Sequence, residues 1–361
     1  MRNLLAGVFA EWSEGYRRPG LYWYGALAKP SALAYRLVEW INRRRYGKTT
    51  LPGPRQAHLV VISSPLVGGV GKTPLAAYLA SALRQRGHRV AIVNLGYGRE
   101  ARGAFVLTHT TDLPDATMVG DEALELWRTA GVPVHVGDEP AEVIAELDRE
   151  GSFDTIVFDD GVRRRWESER RVVVLTARDL EQPVRFVPDG RWRTSPGVVA
   201  QAAAAAITDA NDLSSELRDR HRRALTDWGH SGPTAWFATR HTGLSSIRAA
   251  SDGPEVAPAD KRPFVFCGVG MPARFLAQVR AAGFEPGGVR LFPDHHRYRP
   301  EDWARLDAQR RREDCSWCLT THKDAVKFDP AWLGSTPVYF LRISLQQVAG
   351  DDLVRVIRDE G

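Results

Sequence analysis

Residues 63–83 read SSPLVGGVGKTPLAAYLASAL, and the apolar run AHLVVI stands directly before them. A strand-like run, a turn with three glycines ending in Gly-Lys-Thr, and a helix-like stretch leave few folds open. The order is that of strand, phosphate-binding loop and helix, the unit of a parallel sheet with helices on both faces. Gly68, Gly69, Val70 and Gly71 would bring backbone N–H groups close to a phosphate, whose charge also meets a helix N-terminus. Lys72 would neutralise β- and γ-phosphate oxygens, and the Thr73 hydroxyl would ligate Mg²⁺. Pro74 suits the first turn of a helix running from Pro74 to Arg86, where a missing N–H costs nothing. The strict form of such a loop has a glycine five residues before Gly71. Leu66 stands there instead.

Further apolar runs alternate with helical stretches. HRVAIVNLG (88–96), SFDTIVFDDG (152–161), RRVVVLTA (170–177) and AAAITDA (204–210) read as strands of one parallel sheet. Beyond the loop SDGPEVAPADKRP (251–263), FVFCGVG, GVRLF and SWCLTT repeat the alternation on a smaller scale, with helices from Pro272 and Pro300. The expected fold class is α/β: a P-loop NTPase-like parallel sheet over residues 51–230, and a second, smaller α/β domain over 231–361. Residues 1–50 are expected to form an N-terminal amphipathic, membrane-associating helical region. With 361 residues the chain is long enough for two cores.

A nucleotide site also needs an acidic group on a neighbouring strand. TIVFDD supplies Asp159 and Asp160 after four apolar or β-branched residues, placed to hold Mg²⁺ directly or through water. ATP or GTP with Mg²⁺ fits this pair. Guanine-specific sites carry Asn-Lys-x-Asp, whereas TTHKDAVKF sets Lys323 directly beside Asp324, which favours ATP. VGGVGKT is also similar to the loop of the ParA/MinD-like partition ATPases. Those place a lysine where Val67 stands, so the cation that reaches a partner's nucleotide is missing.

The net charge of +5 suits anionic ligands or an anionic membrane surface and is too small to imply nucleic acid. Three cysteines make no disulfide framework and point to a reducing cytoplasm; CSWC is a lone C-x-x-C without a second pair. There is no signal-peptide core and no run long enough to span a membrane. Residues 20–46 are nevertheless rich in Trp and Tyr and end on Arg43, Arg44 and Arg45. That composition suits a helix lying in a membrane interface, and equally one packed on its own domain with its arginines solvated.

Two polar clusters remain. MVGDEALELW puts Asp121 and Glu122 ahead of a helix, where carboxylates favour the dipole. LFPDHHRYRPEDW puts Asp294, His295 and His296 after a strand of the second domain; adjacent histidines point apart, so acid–base use is more plausible than a metal set.

Taken in order, VGGVGKTP, NLGYGRE, VGDEA, DDGVRR, VPDGRWRT, FPDHHRY and THKDAVKF resemble the motifs of the tetraacyldisaccharide 4'-kinases of lipid A biosynthesis, over residues 20–330. That family's loop likewise lacks the first glycine. The chain departs from the family pattern at Ser63-Ser64, Asn94-Leu95, Arg163-Arg164 and Thr194, around the acceptor and the nucleotide. The phosphate and magnesium groups are kept.

The resemblance implies an enzyme that moves the γ-phosphoryl of ATP to the 4'-hydroxyl of a lipid A disaccharide 1-phosphate. It would work peripherally on the cytoplasmic face of the inner membrane, with no obligate protein partner and no nucleic acid. Its catalytic groups would be Lys72, Asp121 and His295. Asp121 would accept the acceptor proton and His295 would orient it, with His296 as the competing histidine. The alternatives are an ATP-dependent switch akin to the partition ATPases and an inactive lipid-binding paralogue.

Overall fold

The computed structural model describes residues 50–108, 115–159, 165–248 and 258–358. The N-terminal segment expected to be amphipathic therefore lies outside the described residues, as do Asp160, Arg163 and Arg164.

Among the described residues twelve strands form one sheet. From one edge the order is Gly288–Leu291, Phe264–Cys267, Cys318–Thr321, Val338–Gly350, Thr234–Ser246, Ala204–Thr208, Arg170–Thr176, His58–Ser63, Thr155–Asp159, Val90–Asn94, Val134–Val136 and Phe105–Leu107. Two neighbouring pairs are antiparallel, Thr234–Ser246 with Val338–Gly350 and the edge strand Phe105–Leu107 with Val134–Val136. The others are parallel; His58–Ser63, Val90–Asn94, Thr155–Asp159, Arg170–Thr176 and Ala204–Thr208 are buried almost throughout and read as near-continuous apolar runs, whereas the edge strand Gly288–Leu291 is largely exposed.

Helix Lys72–Gln85 follows the phosphate loop. It buries Leu75, Ala76, Leu79, Ala80 and Leu83, positions that recur every three or four residues and so share one face. They pack on Val60, Ile62 and Val157 of the sheet, each large aliphatic contributing about 1.5–3 kcal/mol when fully buried. The helix starts two residues before the expected Pro74. Gly71 ends the loop in the left-handed region (φ 91°) and the Leu75 N–H donates to its carbonyl, closing the first turn around a proline that needs no N–H there. Leu59, Val61 and Phe158, alternating with those residues, meet Ile144, Leu147 and Trp166 on the opposite face.

Beyond Thr234 the sheet continues into a second half. Phe264, Phe266, Tyr298, Phe328 and Phe340 pack on one face, and Val265, Phe275, Trp317 and Leu319 on the other. Cys267, Cys315 and Cys318 are free and buried there, and burial pushes the Cys318 thiol far above its ordinary range. The C-x-x-C is core. The long antiparallel pair joins the halves, and helix Leu353–Arg358 returns to the first half, burying Leu353, Val354 and Ile357 with Leu75 and Leu79.

Among the described residues no helix is long and apolar enough to cross a membrane.

Candidate active site

Leu66 is fully buried and bridges Trp192 in an antiparallel pair. The Val67 N–H donates to the Arg191 carbonyl (2.8 Å), and the Arg193 N–H to the Pro65 carbonyl (2.8 Å). The loop thus enters as a paired, extended segment. That path needs no left-handed glycine at position 66, and the apolar side chain fills the core beneath it.

Four side chains then hold the loop's carbonyls. Arg193 donates twice to Ser64 O (3.2 and 3.0 Å), Arg191 to Val67 O (3.3 Å), Arg274 to Gly69 O, and Thr208 Oγ1 to Val70 O (2.7 Å). In a planar trans peptide the N–H points away from the preceding carbonyl. Anchoring Val67, Gly69 and Val70 outward therefore turns the N–H groups of Gly68, Val70 and Gly71 to the other side, as a phosphate cradle requires. Gly71 must be glycine twice over, since its φ is left-handed and a Cβ there would sit 3.2 Å from the Thr208 methyl.

Strand pairing sets Asp159 opposite Ile62, at the entrance to the loop. Its carboxylate is buried and accepts from Thr73 Oγ1 (3.0 Å) and Asn94 Nδ2 (3.5 Å). A hydroxyl and a carboxylate at this spacing are hard oxygen donors suited to Mg²⁺. Lys72 is the first residue of the helix that begins there. Asn94 also accepts from the Gly96 N–H (2.7 Å) and so shapes the turn leading to Tyr97.

Asp121 opens helix Asp121–Ala130, after Gly120, which packs so closely on Gly96 that a Cβ would fall 2.9 Å from its carbonyl carbon. His295 comes from the turn after strand Gly288–Leu291 and itself occupies the left-handed region (φ 57°). The two meet across the halves: His295 Nδ1 lies 3.0 and 3.2 Å from the Asp121 carboxylate oxygens. His296 faces the other way, with Nε2 3.1 Å from Asp302 and its ring stacked on Phe292. Asp121 is buried, which alone would favour its neutral form. The His295 hydrogen bond and the charges of Lys323 and Lys327 outweigh that and hold it well below the usual carboxylate range.

Gly270 places this pair beside the phosphate loop. A Cβ on it would lie 3.1 Å from Asp294 and 3.3 Å from Gly68 Cα. The turn that carries His295, and so the Asp121–His295 pair, is thus set against Gly68 at the start of the phosphate loop, while Thr73 at its end meets Asp159.

Several members escaped the sequence reading. Lys327 Nζ lies 3.2 Å from Asp121 Oδ2 and from Asp324 Oδ1. Lys323 Nζ lies 3.2 Å from His295 Nε2, 3.4 Å from Asp294 and 3.5 Å from Glu122. Arg274 pairs with Asp209 (2.6 Å) while holding Gly69, and Arg297 pairs with Glu100. THKDAVKF was the available signal for the two lysines and FPDHHRY for Arg297; Arg274 had none. Behind helix Asp121–Ala130 lies a cavity of about 400 Å³ lined by Tyr78, Glu125, Arg128, His322 and Arg342 among others.

A family model described as tetraacyldisaccharide-1-P 4'-kinase matches residues 25–360. A tetraacyldisaccharide 4'-kinase of Anaeromyxobacter dehalogenans (strain 2CP-C) is 32% identical over 364 residues, 98% of this chain and 91% of that protein. One of Methylobacterium nodulans is 32% identical over 340 residues, covering 91% of each. Among solved structures, LpxK from Aquifex aeolicus in complex with ATP superposes with a TM-score of 0.67 over 91% of this chain and 97% of that one. At 20% identity that likeness shows the fold.

Proposed function

The chain belongs to the tetraacyldisaccharide-1-P 4'-kinase family, and from that premise we propose how it moves the γ-phosphoryl group of ATP to the 4'-hydroxyl of a tetraacyldisaccharide 1-phosphate in lipid A biosynthesis. It is a kinase, and neither the partition-ATPase reading nor that of an inactive paralogue is favoured.

Phosphoryl transfer rests on positioning and on stabilising charge. The N–H groups of Gly68, Val70 and Gly71 and the Lys72 ammonium bind the β- and γ-phosphates. Thr73 and Asp159 are the described residues that would hold Mg²⁺, with Asp160 beside them in sequence. When bound there, the ion supplies positive charge to the phosphate oxygens. Asp121 accepts the acceptor hydroxyl's proton as the new P–O bond forms, and the leaving group is ADP. His295 orients Asp121 and spreads the charge.

The observation that carries this reading is the Asp121–His295 contact, set beside the phosphate loop through Gly270. Closure of the second half over bound substrates would complete the site.

The acceptor bears four acyl chains, so we place the enzyme on the cytoplasmic surface of the inner membrane. The aromatic and basic segment 20–46 would lie in the interface. Coupling ADP release to an optical assay tests the reading: ADP should form only when both the disaccharide lipid and Mg²⁺ are present. Lipid-independent ADP release at the same rate contradicts it.

A further inference from the structure

We propose that Lys323 is a positioning residue that fixes His295 as the neutral tautomer protonated on Nδ1, so that the ring donates to Asp121 and keeps a lone pair on Nε2. The inference deepens the dyad reading above and rests on it for its kinetic consequence.

The geometry specifies this tautomer from both sides. His295 Nδ1 faces a carboxylate at 3.0 Å, and Nε2 faces the Lys323 ammonium at 3.2 Å. A carboxylate only accepts and an ammonium only donates, so the proton belongs on Nδ1 and the lone pair on Nε2. The reverse tautomer would set an N–H against an ammonium and a lone pair against a carboxylate.

A doubly protonated ring is the competing state, and the surrounding charges pull in both directions. Asp121 favours imidazolium, but Lys327 shares its Oδ2 at 3.2 Å and offsets that charge. Asp294 Oδ2 lies 3.9 Å from Nε2, while Asp294 Oδ1 is engaged with Lys323. Glu122 also faces Lys323. Asp324 faces Lys327, the Tyr97 ring lies 5.0 Å from the imidazole, and Glu100 pairs with Arg297. Lys323 is the cation directly on the ring. Its side chain is 16% exposed, and burial alone would discharge it. Glu122, Asp294 and Asp121 outweigh that and keep it protonated. An ammonium so held opposes a proton on Nε2.

Lys323 therefore acts through His295 and not on the phosphates. The full-length protein labelled with ¹⁵N-histidine tests it. In the wild type the His295 Nδ1 signal should be pyrrole-like and Nε2 pyridine-like at neutral pH; an Nε2-protonated ring overturns the inference and needs no variant to detect. At neutral pH Lys323→Gln should release the tautomer, so that the Nε2 signal moves from pyridine-like toward pyrrole-like, and kcat should fall with KM for ATP little changed. Lys323→Arg keeps the cation and should leave the nitrogen signals and kcat near wild type. Unchanged nitrogen signals in Lys323→Gln overturn the inference. If the signals change and kcat does not, the role of Lys323 stands and the dyad reading of the transfer falls.

Discussion

Asp121 and His295 stand 174 residues apart in sequence and touch at 3.0 Å. One opens a helix in the phosphate-loop half and the other closes a turn in the second half. The base proposed above is thus assembled from both halves and is complete only when they meet.

Asp121→Asn keeps the shape and removes the proposed proton acceptor. Turnover should fall by roughly a hundred-fold or more, as for other lost acid–base groups. ATP affinity, read by isothermal titration, should change little. A variant that loses ATP affinity and keeps turnover would place Asp121 in the nucleotide site.

The phosphate and metal groups should fail differently. Lys72→Ala and Thr73→Ala should abolish transfer, while Thr73→Ser should retain much of it, because the hydroxyl bonded to Asp159 is kept. Asp159→Asn should be severely impaired and should shift the Mg²⁺ concentration needed for half-maximal rate upward. Near wild-type turnover in all of these except Thr73→Ser would remove the assignment.

Arg274 reaches from the second half to the Gly69 carbonyl while paired with Asp209. Removing a charged hydrogen-bond donor typically costs about 1.5–3 kcal/mol. Arg274→Ala should therefore raise KM for ATP by roughly ten-fold or more, with a smaller change in kcat. An unchanged KM would mean that this clamp does not order the cradle.

How much of this was legible depends on range. The phosphate loop is a local pattern, and strand, glycines and helix follow one another within residues 58–85. Asp159 was legible because an apolar run ends on it. The continuous sheet was not. Strands Thr234–Ser246 and Val338–Gly350 pair across about a hundred residues of intervening chain, and bulges between Trp236 and Phe237 and between His241 and Gly243 interrupt their alternation. Nor were the carbonyl clamps, because Arg191, Arg193 and Arg274 resemble any surface arginine until their partners are placed. Leu66 looked like a defect in the loop and proved to be the residue that seats it.

Stability should carry a pH signature from Glu125. Burial pushes its carboxyl up to about 8, with Lys323 opposing and Glu122, Asp121 and Asp159 adding to the rise. A folded-state pKa above the unfolded value means that the native form binds the extra proton. Its stabilising contribution is thus full below about pH 4.5 and is lost as pH rises through about 8. Glu125→Gln should raise the melting temperature relative to wild type at pH 8.5 and leave the difference near zero at pH 4. Parallel melting curves at both values would locate the proton elsewhere.

On the proposed function, this site sends phosphate to a sugar hydroxyl and not to water. The direct measurement incubates the purified full chain with γ-labelled ATP, Mg²⁺ and a tetraacyldisaccharide 1-phosphate in detergent, and follows the label by thin-layer chromatography and phosphorus NMR. One labelled phosphomonoester should form, at the 4' position, absent without Mg²⁺ and absent with Lys72→Ala. Label appearing only as inorganic phosphate, or no transfer to the lipid at all, would contradict it.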